Sequence, residues 1–323
     1  MSGSAGAVTV AVVGPTATGK SDLGVALAER LDGEVVNADA MQLYRGMDVG
    51  TAKISPAERR DVPHHQLDVL DVTEDASVAA YQRHARADVT AVAARDRRAV
   101  VVGGSGLYVR ALLDHMEFHP TDPVLRARLE ARAQEQGPGL LHDELAQHDP
   151  HAAHRIGRTN TRRLVRALEV VLLTGGPYTP ALPEHRYVTP TLQIGLDCDR
   201  RALDARIEAR VARMWADGLV EEVRALAGPD LQGMGRTAAR AVGYAEVLAV
   251  LRGERDEATA RSDVVTGTRR LARKQMGWFG RDPRVHWLDA QAPDLLEQAL
   301  TLVARADRGQ APDPGQRRRT LGS

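Results

Sequence analysis

One cysteine, Cys198, in 323 residues excludes an intramolecular disulfide framework and any zinc site built on clustered cysteines, and it fits a reducing compartment. Phe, Trp and Tyr together make up only 3% of the chain, so broad stacking platforms for nucleic-acid bases are scarce. Charge of one sign is missing too, since 43 Lys and Arg balance 43 Asp and Glu. With no whole-chain field to draw in a polyanion, any nucleic-acid binding must come from local patches. The apolar run Val8–Val13 is far shorter than the roughly 20 residues of a membrane span. Residues 1–7 carry no basic segment of a secretion signal. The expectation is a cytoplasmic protein with no membrane attachment and a loose N-terminus.

What is present is concentrated just after that short apolar run. Val8-Thr-Val-Ala-Val-Val13 leads into Gly14-Pro15-Thr16-Ala17-Thr18-Gly19-Lys20-Ser21, which matches the phosphate-binding pattern G-x-x-x-x-G-K-[ST] at every fixed position, with a strand pattern before it and a helical pattern after it. The backbone N–H groups of such a loop and the positive end of the following helix form a cradle for a diphosphate. Lys20 would reach a terminal phosphate as a point charge. The Ser21 hydroxyl would ligate Mg²⁺, an ion that prefers phosphate oxygens, waters and few protein ligands. The alternative is a glycine-rich turn with no ligand. A chain of this length suggests about two domains, and its 43% hydrophobic and 27% charged content is ordinary for a globular protein.

Leu23, Val25, Ala26, Leu27 and Leu31 keep a helical rhythm that Asp32-Gly33 ends, and residues 34–38 read as a second strand, which completes a β-α-β unit. A polar segment from Asp39 to Lys53 follows. Ligands of open α/β sheets sit outside the carboxyl ends of strands, so Asp39 is placed to face whatever the loop holds; the competing reading is that it caps a turn. His64–Leu70 reads as a third strand or an edge segment, and its adjacent histidines do not suit a zinc site. A helix is expected over 78–95, then a buried strand running into Gly103-Gly104-Ser105. A phosphate-loop ATPase usually ends a core strand in an acid that holds Mg²⁺; here that strand ends in glycine, and the only acid expected at the end of a clear strand is Asp39.

From Asp122 to about Leu173 the pattern is helical and rich in Arg and His, bounded by Pro120–Pro123 and by Gly175-Gly176-Pro177. Gln193–Asp197 returns as a strand. Helices are expected over 201–226, 238–251 and 259–279, and residues 306–323 read as a disordered basic tail. The division is therefore 8–121 and 185–305 for an α/β core with a helical C-terminal part, 122–184 for a helical insertion, and 1–7 and 306–323 for tails. Arginines three or four apart usually mark a solvated face of weak ion pairs, which suits Arg126 to Arg132. Residues 155–166 have few carboxylates nearby in sequence, so a phosphate-contact surface stands level with a solvated face there.

Six motifs, taken in order, resemble one family. They are Gly14–Ser21, Asp39–Lys53, Gly103-Gly-Ser-Gly-Leu-Tyr108, Arg162-Arg-Leu-Val-Arg-Ala-Leu-Glu169, Val242-Gly-Tyr244 and Arg273-Lys-Gln-Met-Gly-Trp-Phe279, and together they are similar to the bacterial tRNA dimethylallyltransferases over about residues 8–289. The resemblance implies a P-loop NTPase-like parallel sheet flanked by helices, with an all-helical insertion that clamps the anticodon stem-loop of tRNA. It implies transfer of a dimethylallyl group from dimethylallyl pyrophosphate to the exocyclic N6 amine of the adenosine just 3′ of the anticodon, with Mg²⁺, by a protein expected to act as a monomer. Asp39 would be the general base, Thr16 and Arg210 would act on the pyrophosphate with the loop residues Gly14 to Ser21, and Asp39, Ala40, Met41, Gln42, Ser105, Arg126, Arg162, Arg163 and Arg166 would contact tRNA. Ala40 and Ser105 depart from the family pattern, where Ser and Thr are usual. A nucleotide kinase built on the same loop and a non-catalytic nucleic-acid-binding module are the alternatives.

Overall fold

The computed structural model describes residues 7–178 and 184–310, and the chain divides into two compact units, Met1–Asp114 with His185–Ser323, and His115–Glu184. Six strands, β1 (Thr9–Val13), β2 (Gly33–Asn37), β3 (His64–His65), β4 (Arg98–Gly103), β5 (Thr191–Asp197) and β6 (Val285–Asp289), belong to the first unit. The helices in chain order are α1 (Lys20–Arg30), α2 (Val78–Ala93), α3 (Gly106–Leu113), α4 (Pro123–Gln136), α5 (Pro138–His148), α6 (Pro150–Ile156), α7 (Thr161–Thr174), α8 (Arg200–Ala216), α9 (Leu219–Ala227), α10 (Tyr244–Leu251), α11 (Glu257–Phe279) and α12 (Leu295–Asp307). None of the described helices is long and apolar enough to cross a membrane.

The strands pair in parallel in the order β3-β2-β4-β1-β5-β6. Because both faces of such a sheet are covered, its strands are nearly continuous apolar runs, and β1, Thr-Val-Ala-Val-Val, is buried at every position. Alternation divides the run between two cores. Val10 and Val12 join Val100, Val35 and Ile194 under α1 and α12 on one face, while Ala11 and Val13 join Val36, Val101 and Phe279 with α2 and α3 on the other. Each fully buried Val or Leu contributes about 1.5–3 kcal/mol, so the sheet holds β1 rigidly where it enters the loop at Gly14. β1 lies between β4 and β5, and β2 pairs with the far side of β4. The chain thus changes direction across the sheet beside β1, at the kind of switch point where α/β sheets bind ligands.

Several elements differ from expectation. The helix expected over 201–226 is two, α8 and α9, separated at Gly218 (φ 93°), a backbone conformation that favours glycine. The helix expected over 238–251 shortens to α10 behind a 3-10 turn, Ala238–Arg240, with Gly243 between them at φ 95°. The histidine stretch is a two-residue edge strand. Strand β6 and helix α12 have no counterpart in the sequence reading. The disorder expected from residue 306 is corrected as far as Asp307, where α12 ends with that carboxylate accepting from Arg98 Nη1 at 3.0 Å, Arg98 Nη2 at 2.9 Å and the Val8 amide at 3.1 Å. The remainder of that expectation, over 1–6 and 311–323, lies outside the described residues. Asp39 is also not alone at a strand end, because β5 closes on Asp197, a buried residue whose Oδ1 accepts from the Cys198 amide.

The helical unit has a core of its own. Leu129 and Ala133 of α4, Leu141 and Leu145 of α5, Ala152 and Ala153 of α6, and Leu164, Leu168 and Val171 of α7 form one buried cluster. Among the described residues, three of its four helices start on side-chain caps, Asp122, Asp149 and Asn160, which accept from backbone amides of the first turn. His115 opens the unit, and Asp122 marks the start of its first helix.

Candidate active site

The phosphate loop begins at a close backbone approach that leaves no room for a side chain. A Cβ on Gly14 (φ 135°) would stand 2.6 Å from the Leu196 carbonyl oxygen of β5. Gly19 (φ 83°) supplies the left-handed residue ahead of α1. Thr18 Oγ1 donates to the Pro15 carbonyl at 2.8 Å, and Lys20 Nζ donates to the same oxygen at 2.5 Å. From α11, Gln275 Oε1 accepts from the Thr16 amide at 2.7 Å. The second glycine-rich turn is equally tight: a Cβ would lie 2.3 Å from the Ala38 carbonyl oxygen at Gly103 and 2.3 Å from Gln275 Nε2 at Gly104. The backbone clash at Gly103, the last residue of β4, leaves no room there for an acidic side chain, so β4 cannot end in the carboxylate of a phosphate-loop ATPase.

Asp39 stands two residues beyond β2, and the buried Asn37 side chain fixes it at both backbone groups. Asn37 Oδ1 accepts the Asp39 amide at 3.0 Å and Asn37 Nδ2 donates to the Asp39 carbonyl at 3.1 Å. One carboxylate oxygen of Asp39, Oδ1, accepts from the Met41 amide at 3.0 Å, so the capping role is real and leaves Oδ2 over. Ser105 Oγ accepts from the Ala40 amide at 3.1 Å and ties the turn to the start of α3. Burial pushes the Lys20 ammonium down from 10.5 to about 7; the Asp39 carboxylate opposes that shift and the Arg210 guanidinium adds to it. Burial likewise lowers Arg210, with Asp39 opposing and Arg213 reinforcing. The three groups share one field.

Lys20, Ser21 and Arg210 line a cleft of ≈ 1200 Å³ with Arg206 and Arg213 of α8, Lys53, Ile54, Arg59 and, at the start of α12, Leu295 and Leu296. Arg206, Arg210 and Arg213 follow one stripe of α8 at spacings of four and three. Among the described residues none of the three has an ion-pair partner, and Arg210 Nη2 donates to the Thr51 carbonyl at 2.9 Å. Lys53 is fully committed, donating to Tyr44 O at 2.7 Å, Asp48 Oδ1 at 2.6 Å and Asp68 Oδ1 at 2.6 Å.

Within 155–166, where few carboxylates were expected nearby, Arg158 and Arg166 are paired, while Arg132 keeps the ion pair expected of a solvated face. Arg126 and Arg166 both bond the fully buried Glu169, Nη2 to Oε2 at 2.8 Å and Nη1 to Oε2 at 2.7 Å, and Glu169 also accepts the Asp122 amide. Arg158 pairs with Asp143 and Arg132 with Glu144. Arg162 and Arg163 are exposed, with no ion pair among the described residues. Sequence reasoning gave no role to Gln275, although it stands inside a quoted motif, nor to Glu222, whose carboxylate holds the 48–50 turn. Gln275 is legible as a polar residue on a buried helix stripe; nothing local marks Glu222.

A parallel sheet carrying a phosphate loop at its switch point, with a lysine and arginines lining the cleft beside it, defines the phosphate-binding α/β enzymes. Residues 42–282 match the profile of the IPP transferase family. Along 92% of its length the chain is 59% identical to the tRNA dimethylallyltransferase of Streptomyces avermitilis, covering 96% of that protein. It superposes on the crystal structure of the tRNA isopentenylpyrophosphate transferase of Bacillus halodurans with a TM-score of 0.69 at 37% identity, covering 94% of this chain and 97% of that one. A eukaryotic dimethylallyltransferase acting on tRNA matches with a TM-score of 0.82 over 96% of this chain and 82% of that one, and at 22% identity the likeness shows the fold alone. The chain belongs to the IPP transferase family.

Proposed function

We propose that this protein transfers the dimethylallyl group of dimethylallyl pyrophosphate to the exocyclic N6 amine of the adenosine just 3′ of a tRNA anticodon and releases pyrophosphate. The observation that carries this reading is the shared field of Lys20, Arg210 and Asp39 at a phosphate loop whose neighbouring strand has no space for an acid. The reaction breaks a carbon–oxygen bond, so the loop has to stabilise a leaving group and has no phosphorus to open to attack. As the adenosine nitrogen bonds to the allylic carbon, the electron pair of the breaking bond goes to pyrophosphate and the N6 proton goes to Asp39. Backbone N–H groups, Thr16, Lys20 and Arg210 meet the growing negative charge. Arrival of the pyrophosphate raises the Lys20 pKa from about 7, so the ammonium is charged when it is needed.

Ser21, in the first turn of α1, lines the cleft and its hydroxyl has no hydrogen-bond partner among the described residues. That hard oxygen fits Mg²⁺, which takes most of its ligands from phosphate and water. When bound, the ion supplies Lewis-acid stabilisation of the pyrophosphate. The adenine amine is a poor nucleophile because its lone pair is delocalised, and a positioned base typically supplies about 10²–10⁴-fold. The base must leave the loop stack to reach Asp39, with Gln42 offering a donor and an acceptor to a base edge and Arg162 and Arg163 of the helical unit, its RNA-holding part, meeting phosphates. Incubation with unmodified tRNA, radiolabelled dimethylallyl pyrophosphate and Mg²⁺, with ATP as competitor, tests the reading. Label in tRNA is expected; phosphoryl transfer from ATP or RNA binding without label overturns it.

A further inference from the structure

Between Asp48 and Lys53 the chain makes a turn that is closed locally, by Lys53 N to Asp48 O at 2.9 Å and Ala52 N to Val49 O at 3.0 Å, and gripped from another part of the first unit. Glu222, in the first turn of α9, collects three consecutive backbone N–H groups: Oε2 accepts from Asp48 at 2.9 Å and Val49 at 2.7 Å, and Oε1 accepts from Gly50 at 3.1 Å. Its Oε1 also accepts the Tyr244 phenol at 2.6 Å. Successive amides converging on one anion form a strong electrostatic nest, and here the anion is built in. Gly50 is part of the design, because a Cβ there would stand 2.7 Å from the Tyr244 hydroxyl and 2.5 Å from its ring.

The turn delivers one carbonyl to two places. Thr51 O accepts from Arg210 Nη2 at 2.9 Å and from Gln42 Nε2 at 3.3 Å, and the same Gln42 nitrogen reaches the next carbonyl of the turn, Ala52 O, at 3.5 Å. Under the proposed function, on which this inference rests, Arg210 serves the pyrophosphate and Gln42 serves the RNA. We infer that Glu222 is a positioning residue which, through the single carbonyl oxygen of Thr51, orients the guanidinium of Arg210 and the amide of Gln42 together, so that one clamp sets the geometry of both substrates.

In the Glu222→Gln variant the side chain loses an acceptor oxygen and turns an amide N–H₂ towards backbone donors, so the Gly50 bond fails if the amide nitrogen replaces Oε1, and the Asp48 and Val49 bonds fail if it replaces Oε2. Displacements well below an ångström at a positioning group are felt strongly in binding and rate. The dissociation constants for inorganic pyrophosphate, by calorimetry, and for an anticodon stem-loop RNA, by fluorescence anisotropy, are expected to rise together, each about tenfold. Tyr244→Phe removes one hydrogen bond while keeping the ring, and both constants should move the same way by about threefold. In a double-mutant cycle for pyrophosphate binding, Arg210→Lys should cost less in the Glu222→Gln background than in wild type, because the two act as a unit. A lower melting temperature with both constants unchanged and an additive cycle makes Glu222 merely structural and overturns the inference. A rise confined to one probe overturns the shared carbonyl. Wild-type protein that binds neither probe removes the proposed function itself, an outcome distinct from a wild type that binds both and a variant that binds equally well.

Discussion

Lys20, Arg206, Arg210 and Arg213 line the cleft of the first unit with no ion-pair partner among the described residues, whereas Arg126, Arg132, Arg158 and Arg166 of the helical unit each hold a carboxylate. In sequence the helical segment carries the conspicuous run of arginines, while the cleft residues are spread over almost 200 positions. A partly buried cation without a partner is costly and is retained where an anionic ligand completes it. A cation already bonded to a buried carboxylate has its charge largely neutralised before any ligand arrives. Under the proposed function the cleft cations meet the pyrophosphate, while the Arg126–Glu169–Arg166 cluster joins α4 to α7.

That contrast is most exposed to failure at Asp39. Asp39→Asn keeps an oxygen for the Met41 amide, so stability should shift little, while single-turnover transfer should fall by about 10²–10⁴, a barrier increase of roughly 3–5 kcal/mol. A variant that melts lower yet transfers normally would make Asp39 a cap alone. Glu169→Gln should do the opposite. Leaving two guanidinium groups against a neutral amide costs up to about 3 kcal/mol, read as a lower denaturation midpoint, with pyrophosphate affinity in the cleft unchanged. Although burial works against it, hydrogen bonding by Arg126 and Arg166 holds the Glu169 carboxyl below its usual value. Its contribution is thus present above the unfolded carboxylate pKa and disappears as pH falls through the lower folded one.

A subtler probe is Lys20. Its folded pKa of about 7 lies below the 10.5 of the free side chain, so between those values the unfolded chain binds the extra proton and stability should rise with pH. The slope should vanish in Lys20→Met. Over the same window the wild-type affinity for inorganic pyrophosphate should fall as the ammonium deprotonates, and calorimetry at several pH values checks both signs. Smallest of all are the exposed arginines. Replacing Arg162 and Arg163 should weaken all tRNA substrates alike and flatten the dependence of log affinity on log salt by about one unit for each phosphate no longer neutralised. An unchanged slope returns them to a solvated face.

The strand-loop-helix at Val8–Arg30, the glycine turn at Gly103 and the covered parallel sheet were legible because each rests on local chemistry: a short continuous apolar run, a glycine at a close backbone approach, a lysine at a fixed offset. Asp39 could be placed at the mouth of the sheet by its distance from the strand. Strand β6 escaped because its alternation, Val-His-Trp-Leu-Asp, is weak at a sheet edge, and α12 because its docking on the β1 face joins residues far apart in the chain. The tail beyond residue 306 was misjudged at its start since Arg98, far away in the chain, captures Asp307.

By itself the sequence determined the phosphate loop, the order of strand and helix that puts it at a switch point, and the motifs that define the family, all of which depend on residues near one another in the chain. Only the tertiary structure decided which charges remain free. Glu169 neutralises Arg126 from 43 positions away, Arg210 joins Thr51 across 159, and Glu222 grips the 48–50 turn across more than 170. The electrostatic energy of a pair follows its separation in space and its exposure to water, and neither quantity is written in the spacing of residues along the chain.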